Sequence, residues 1–494
     1  MVYNSETTRL IFGLKLRQLR LDLGISSLEV SKRAGLSPSY MTELEKGKKY
    51  PKVEKMFDLA RALETDYETL VSPRLSKKLE PLANLIHSRV LNELPLDWLG
   101  LDASDLLALL AEAPAKVSAF ISTLIEISRS YGMRVESFLF SVLRTYQEMQ
   151  DNYFPELEEA AEQFRATLDW PVNEPLHHDQ LGQLLTARFA YQLENFTGDQ
   201  YPALATVRSV FLPQQQNRLL INAALTHPQR AFTLARELGY RVLNLTERPL
   251  ISSVREAESF GHVLNNFRAS YVAGAMLMPR QPMVDDLREL FEAETYNPDR
   301  WLALIQRYAV TPEMFMHRLM GLLATQFGLN DSFFLRLNHR TGDEDYLLTK
   351  EMHLARLHSP HTTIGEHYCR RWVSIGVIHE LDRQQHAGEW NGHPVIRAQI
   401  SDYFESPDTY LVLAIAQTSS PETGVNSSVS LGIAVNDRLR QVVRFLNDPN
   451  LTHRLVNQTC ERCGVADCLE RVARPTIYQR EKQTEEIRHL YGEL

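Results

Sequence analysis

Cysteine is scarce in this chain, with 4 in 494 residues, and three of the four stand between positions 460 and 468. That count excludes a disulfide framework and sets the expectation of reduced thiols in a cytoplasmic protein. No apolar run approaches the ~18 residues that a membrane span needs. The opening stretch MVYNSETTRL lacks the basic start and apolar core of a secretory signal. An overall basic excess is also missing: the net charge of −9 excludes a chain coated along its length by nucleic acid. What is present is ordinary for globular proteins, with 44% hydrophobic and 23% charged residues. The length exceeds what one core supports, so two to four domains are expected.

The charge is uneven. Residues 1–80 carry 15 Lys and Arg against 11 Asp and Glu, whereas the rest carries 38 against 51. A phosphate-binding surface therefore belongs at the N-terminus. There, Phe12, Leu16, Leu19 and Leu23 recur at helical spacing. Ser26 offers an N-cap to a short helix, with Leu28 and Val30 available for burial. Gly35 suits a left-handed turn. Ser37-Pro38 is a cap followed by a proline at a first helical position, opening a helix with Met41 and Leu44 facing inward. Gly47 ends it, Pro51 opens a fourth helix, and Asp66 caps a fifth. Five helices with a tight Gly turn between the second and third make a helix-turn-helix.

In that arrangement the third helix presents its N-terminal residues to the major groove, so Ser37, Pro38, Ser39, Thr42 and Glu43 are candidates for base edges. Ser27 and Tyr40 are candidate phosphate contacts, and Lys46, Lys48 and Lys49 can neutralise phosphates. The stretch resembles the Xre/Cro repressor-type helix-turn-helix family through Leu16, Leu19, Arg20, Gly24, Ser26, Val30, Gly35, Ser37, Glu45, Gly47 and Pro51. It departs at Ser27, where many members carry a glutamine that braces the recognition helix. The resemblance implies operator DNA as partner and a homodimer or higher homo-oligomer.

Residues 74–150 read as a helical connector punctuated by Pro114 and Gly132. In the region 151–344, Gln229-RAFTLARELGYRVLNL and Phe267-RASYVAGAMLMPR resemble the ImmA/IrrE-type metallopeptidase fold, in which a helix carries H-E-x-x-H and a later helix supplies an acidic ligand. Here Arg236 and Tyr240 stand at the two histidine positions, Glu237 remains, and Asn266 and Arg268 stand where the acid would be. Arginine cannot ligate zinc, so no zinc and no peptidase activity are expected at this degenerate site. Arg236, Tyr240, Arg241 and Arg268 could instead line a pocket for a phosphate-bearing or carboxylated small molecule, or pair with carboxylates such as Glu237 and Glu256.

Residues 345–494 read as an α+β sensory domain, with strands in VIRAQISDYF, YLVLAIAQT and VSLGIAVN. Its tail spells C-x2-C-x4-C at Cys460, Cys463 and Cys468; Cys369 could complete a four-thiolate set for a metal or an iron–sulfur cluster. His353, His358, His361 and His367 are alternative, irregularly spaced ligand material. The order of parts resembles the short-chain fatty acid regulator family, through HLARLH, Cys369-RRW, YLVLAIAQT and CERCGVADCLERVARP. Arg370 stands where a proline often follows the first cysteine. The resemblance implies sensing of an acyl-CoA or CoA-derived ligand, and for some members a [4Fe-4S] cluster on the cysteines, with zinc as the alternative.

The expected fold is therefore a mostly helical N-terminal part with the helix-turn-helix at 1–73, a connector, a zincin-like α+β domain and an α+β sensory domain. The expected function is a DNA-binding transcriptional regulator; a metallopeptidase that cleaves a partner repressor is the alternative.

Overall fold

The computed structural model describes residues 5–72, 135–168, 170–171, 174–213, 217–252, 259–354 and 365–493. Most of the connector expected at 74–150 lies outside these residues. The chain divides into two units, Met1–Val142 with Glu258–Gly261, and Leu143–Ala257 with His262–Leu494.

The first unit contains α1 (Ser5–Asp22), α2 (Ser27–Arg33), α3 (Pro38–Glu45), α4 (Val53–Ala62) and α5 (Tyr67–Val71). Local chemistry sets their ends. The Ser26, Ser37 and Asp66 side chains accept from the backbone N–H groups of Glu29, Tyr40 and Thr69, each satisfying a donor that the helix leaves open. Gly24, Gly35 and Gly47 follow the first three helices at φ between +59° and +68°, where a side chain would be strained. The fourth helix starts two residues beyond Pro51, with Lys52 in the cap position. Phe12, Leu16, Val30, Met41, Leu44, Met56 and Leu59 share one core. Leu23 and Leu28, expected inside, are exposed instead. Leu23 lies beyond the last turn of α1, and Leu28 sits on the face of α2 away from the buried Val30.

The second unit begins with helical layers: α6 (Val135–Met149, entering from the first unit's residues), α7 (Pro155–Ala166) and α8 (His178–Phe189). A small sheet follows, of β1 (Gln192–Phe196), β2 (Ser209–Leu212) and β3 (Arg218–Asn222). Its order is β1-β3-β2, with β1 parallel and β2 antiparallel to β3. Against it runs α9 (His227–Val242), opened by Thr226, whose N–H donates to Gln229. Then come α10 (Phe260–Leu277), α11 (Arg280–Glu292), α12 (Pro298–Arg307) and α13 (Pro312–Leu322). Gly239 lets α9 and α10 touch: a Cβ there would lie 2.5 Å from the Ala269 carbonyl oxygen. Glu158 of α7 and Arg318 of α13, both almost fully buried, form a two-pronged ion pair joined by the Tyr271 hydroxyl of α10. That pair ties three helices together, with every buried charge matched.

A six-stranded sheet completes the unit: β4 (Ser332–Arg340), β5 (Leu347–His353), β6 (Val395–Tyr403), β7 (Thr409–Thr418), β8 (Val425–Ala434) and β9 (Thr452–Val456). The order is β5-β4-β8-β7-β6-β9, antiparallel except for the parallel β6–β9 pair. The helix α14 (Val373–Ala387) covers one face with Ile375, Ile378 and Leu381 against Val412 and Ala414. On the other face α13 stacks His317 on Phe334, ring centroids 4.1 Å apart. Cover on both faces explains why YLVLAIA runs apolar without alternation. The three expected strands are β6, β7 and β8. The boundary expected at 344/345 falls between β4 and its sheet partners β5 and β8. The short α15 (Asp437–Val442) and the longer, largely exposed α16 (Thr476–Glu493) are the last two helices of the chain. Among the described residues no helix is long and apolar enough to cross a membrane.

Glycine in the middle of β8 is imposed by its neighbour: a Cβ on Gly432 would sit 2.2 Å from the Phe333 ring directly across the ladder. Gly432→Ala is expected to cost about 1–3 kcal/mol. Chemical denaturation of the double variant with Phe333→Leu should recover part of that loss.

Candidate functional site

The helix-turn-helix presents α3 on a rigid base. Met41 and Leu44 are fully buried, while Ser37, Pro38, Ser39, Thr42, Lys46 and Lys48 are exposed along its start and just past its end. Glu43 is half-buried and accepts from Lys49 at 2.9 Å, and that ammonium lies 5.7 Å from the Tyr40 ring centre. These two charges are thus partners. Ser27 is half-buried at the start of α2. The brace that Ser27 cannot supply comes from α1: Arg20 Nε and Nη2 donate to the two oxygens of Glu45 at 2.6 and 3.1 Å, and Nη1 donates to the Ile25 carbonyl at 3.2 Å. Arg20 and Glu45 are legible as matched family positions, but their pairing across 25 residues is not.

In the second unit, α9 carries the degenerate motif. Glu237 is fully buried and is held by Arg248, whose Nη1 and Nη2 donate at 2.6 and 2.7 Å. The Tyr191 hydroxyl also donates to Glu237, at 3.2 Å. The Arg248 guanidinium is sandwiched between the rings of Tyr240 and Phe211, at 3.8 and 4.2 Å from their centres. Both oxygens of this carboxylate are thus engaged. Tyr240 donates to Asn266 at 3.2 Å; burial pushes its hydroxyl pKa up. Arg236, Tyr240, Arg241 and Arg268, considered for one pocket, turn to different neighbours. Arg241 turns to Tyr191 and Asn217 at 3.0 and 2.8 Å, and Arg236 reaches Ser209 at 3.4 Å. Arg268 faces the electrostatic neighbourhood of Tyr146 and Glu156. Helix geometry explains the split: Arg236 and Tyr240 share one face of α9, and Glu237 and Arg241 share the next. Nor does Glu237 pair with Arg236 or Arg241; Glu256 lies outside the described residues. Arg248, just past the end of α9, is the residue that sequence reasoning missed.

Cys369, Cys460, Cys463 and Cys468 line one cavity of about 10 Å³, together with Arg370, Arg371, Val456, Glu470 and Arg471. Cys369 arrives through a laced junction. Its N–H donates to the Gln458 carbonyl, and the N–H of Cys460 donates to His367 O. Glu366 accepts from Arg462 and Thr459 at 2.8 Å, while His367 meets Glu461 at 2.7 Å. The remaining loop is held by Arg471, which donates to the carbonyls of Cys460, Cys463 and Val465 at 2.9, 2.9 and 2.6 Å. Burial pushes the Cys369 thiol up to about 11. Four soft thiolates are a donor set for zinc or an iron–sulfur cluster. Among the described residues, no three or more His, Cys, Asp or Glu side chains stand close enough to hold a single metal ion. Of the four histidines considered as ligands, His367 is engaged by Glu461, His353 lies on β5, and His358 and His361 lie outside the described residues.

Residues 16–70 match the helix-turn-helix family, and residues 197–320 match the IrrE N-terminal-like domain. An uncharacterized HTH-type transcriptional regulator, y4dJ, of Sinorhizobium fredii (strain NBRC 101917 / NGR234) is 35% identical over 65 residues, covering 13% of this chain and 84% of that relative. A solved Mycobacterium tuberculosis transcriptional regulator is 20% identical with a TM-score of 0.46, covering 68% of this chain and 94% of that one.

The Glu237–Arg248 pair predicts an asymmetric pair of variants. Arg248→Met leaves a buried carboxylate unpaired and should cost about 3–5 kcal/mol in urea unfolding. Replacing both residues, Glu237→Leu with Arg248→Met, should cost much less.

Proposed function

The chain belongs to the helix-turn-helix transcriptional regulators, and from that premise we propose that α3 reads operator DNA while the second unit senses a metabolite and redox state. The carrying observation is the exposure of Ser37, Pro38, Ser39 and Thr42 on a helix whose opposite face is locked into the core. Base edges would be read by these residues with Glu43, and phosphates held by Ser27, Tyr40, Lys46, Lys48 and Lys49. The protein acts as a homodimer or larger assembly on paired half-sites, in the cytoplasm.

For the second unit the reading is a regulator of short-chain fatty acid or acyl-CoA metabolism, responding to a CoA-type ligand. Cys369, Cys460, Cys463 and Cys468 would hold a [4Fe-4S] cluster, with zinc as the alternative. When bound, the cluster supplies a redox-sensitive link between two distant chain segments. The convergence of all four thiols on one cavity supports this reading. The IrrE-like domain serves as a binding scaffold with no peptidase activity, because Arg236 and Tyr240 offer no metal ligands and Glu237 is closed off. Ligand or cluster state then changes the spacing of two recognition helices by a coupling on the order of 1–3 kcal/mol.

Three measurements test the parts separately. In gel shifts, Lys48→Ala should weaken all sequences equally and lower the salt slope by about 1, whereas Thr42→Ala should relax sequence preference. Protein purified without oxygen should be brown, and Cys463→Ser colourless; a colourless wild type with stoichiometric zinc selects the alternative, and one with neither refutes both. Operator affinity at fixed salt should shift with short-chain acyl-CoAs or with oxidation. Indifference to both would refute the sensing mechanism.

A further inference from the structure

The starts of α8 and α9 meet through a pair of histidines that the proposed function does not use. His178 is the first residue of α8 and His227 the first of α9. Nε2 of His178 lies 2.6 Å from Nδ1 of His227, and the two ring planes are within 8° of parallel with centres 4.7 Å apart. Because the nitrogens are so much closer than the centres, the rings meet edge to edge, each aiming a nitrogen at the other. A contact of that length is a hydrogen bond, with one proton between two nitrogens. The far side of His178 is fixed as well: its Nδ1 lies 3.0 Å from the Asp179 carboxylate, which only accepts, so Nδ1 carries a proton. In the neutral pair, then, His178 Nε2 is bare and accepts from the Nδ1–H of His227.

The number of protons decides whether this contact holds. One added proton is accommodated. His178 becomes an imidazolium whose Nε2–H donates, and His227 carries its own proton on Nε2 and accepts at Nδ1. A second added proton leaves an N–H on both facing nitrogens and a positive charge on both rings. Two donors then confront each other with no acceptor between them, and the rings must part. The surroundings add to that resistance. Both rings stand at helix N-termini, where open backbone N–H groups present partial positive charge. The charged and titratable groups around the pair are Asp179 and His177 on the α8 side and Arg230 on α9. Burial holds the His178 pKa below its ordinary value; Asp179 opposes this, and His227, Arg230 and His177 reinforce it.

The pair lies where several parts of the second unit are joined. Gln229, in the first turn of α9, donates to the Ser420 carbonyl at 2.9 Å, and the Ser420 hydroxyl donates to the Ala224 carbonyl at 2.8 Å. The start of α9 is thus held by α8 through the histidines and by the β7–β8 hairpin through Ser420. We propose that His178 and His227 form a proton-gated joint, which holds the starts of α8 and α9 together while the pair is neutral or singly charged and releases them when both rings are charged. The opened joint binds a proton that the closed joint refuses, so closure is favoured at higher pH and is lost as the pH falls below the ordinary histidine range. This joint concerns the second unit alone and rests on neither the DNA-reading nor the metabolite-sensing assignment.

The test is hydrogen exchange of the full chain, read by mass spectrometry from about pH 7.5 to about pH 5 and corrected for intrinsic exchange rates. Peptides spanning 178–189 and 227–242 should keep their protection down to about pH 6.5 and then lose it together, by up to about tenfold for each unit of pH, because opening takes up one proton. A peptide spanning β7, residues 409–418, reports general acid unfolding. His227→Asn puts an uncharged amide at the Nδ1 position, and His178→Gln puts one at the Nε2 position. Either amide can donate or accept by flipping, so both variants keep the contact at every proton count and should hold their protection level across the same range. Unchanged wild-type protection at low pH, an equal loss in the two variants, or a parallel loss in the β7 peptide overturns the proposal.

Discussion

The Arg20–Glu45 ion pair is the contact on which the DNA-reading surface depends. A helix of eight residues has little stability of its own, because nucleation costs more than a few turns return. What holds α3 at a fixed angle is its packing through Met41 and Leu44 and this two-pronged pair to α1. Arg20 adds a third bond to the Ile25 carbonyl, so one guanidinium fixes both the start of α2 and the end of α3. A planar fork can do this; an ammonium group, with its single nitrogen, cannot. The pair also removes the need for a brace from the residue at position 27.

In the second unit the same chemistry appears with the opposite consequence. A zinc site requires neutral or anionic ligands converging on a cation. Here the motif glutamate is neutralised by Arg248, with aromatic rings on both sides of the guanidinium. The helix frame, including the close α9–α10 approach at Gly239, is kept while the electrostatics are inverted. Fold and function separate at this point: the layered frame is set by packing, and the chemistry by a handful of charges placed on it.

Much of the architecture was legible because it rests on local rules. Ser26, Ser37 and Asp66 announce their caps, Gly35 and Gly47 their turns, and the strands β6 to β8 their apolar runs. The errors arise where a distant partner decides. Leu28 fits the pattern of a buried residue, but no neighbouring helix covers it. Nothing near 332–340 reveals that β4 pairs with a strand some ninety residues further on. At the candidate sites, the C-x2-C-x4-C spacing is visible in the sequence, but not the contacts of Glu366 and Glu461 that lace residues 366–369 to the tail. Arg248 carries no motif, and only the packing around it gives it a role.

The lacing of residues 366–369 to 457–462 has a consequence for how the protein comes into being. Synthesis delivers the helix-turn-helix first, and its core closes with contacts inside about seventy residues, a length that folds quickly as a unit. The thiol cavity needs Cys369 to wait for a segment about ninety residues behind it, along with β9 docking on β6. A nascent chain therefore owns a finished DNA reader while its thiol chamber is still two unjoined halves.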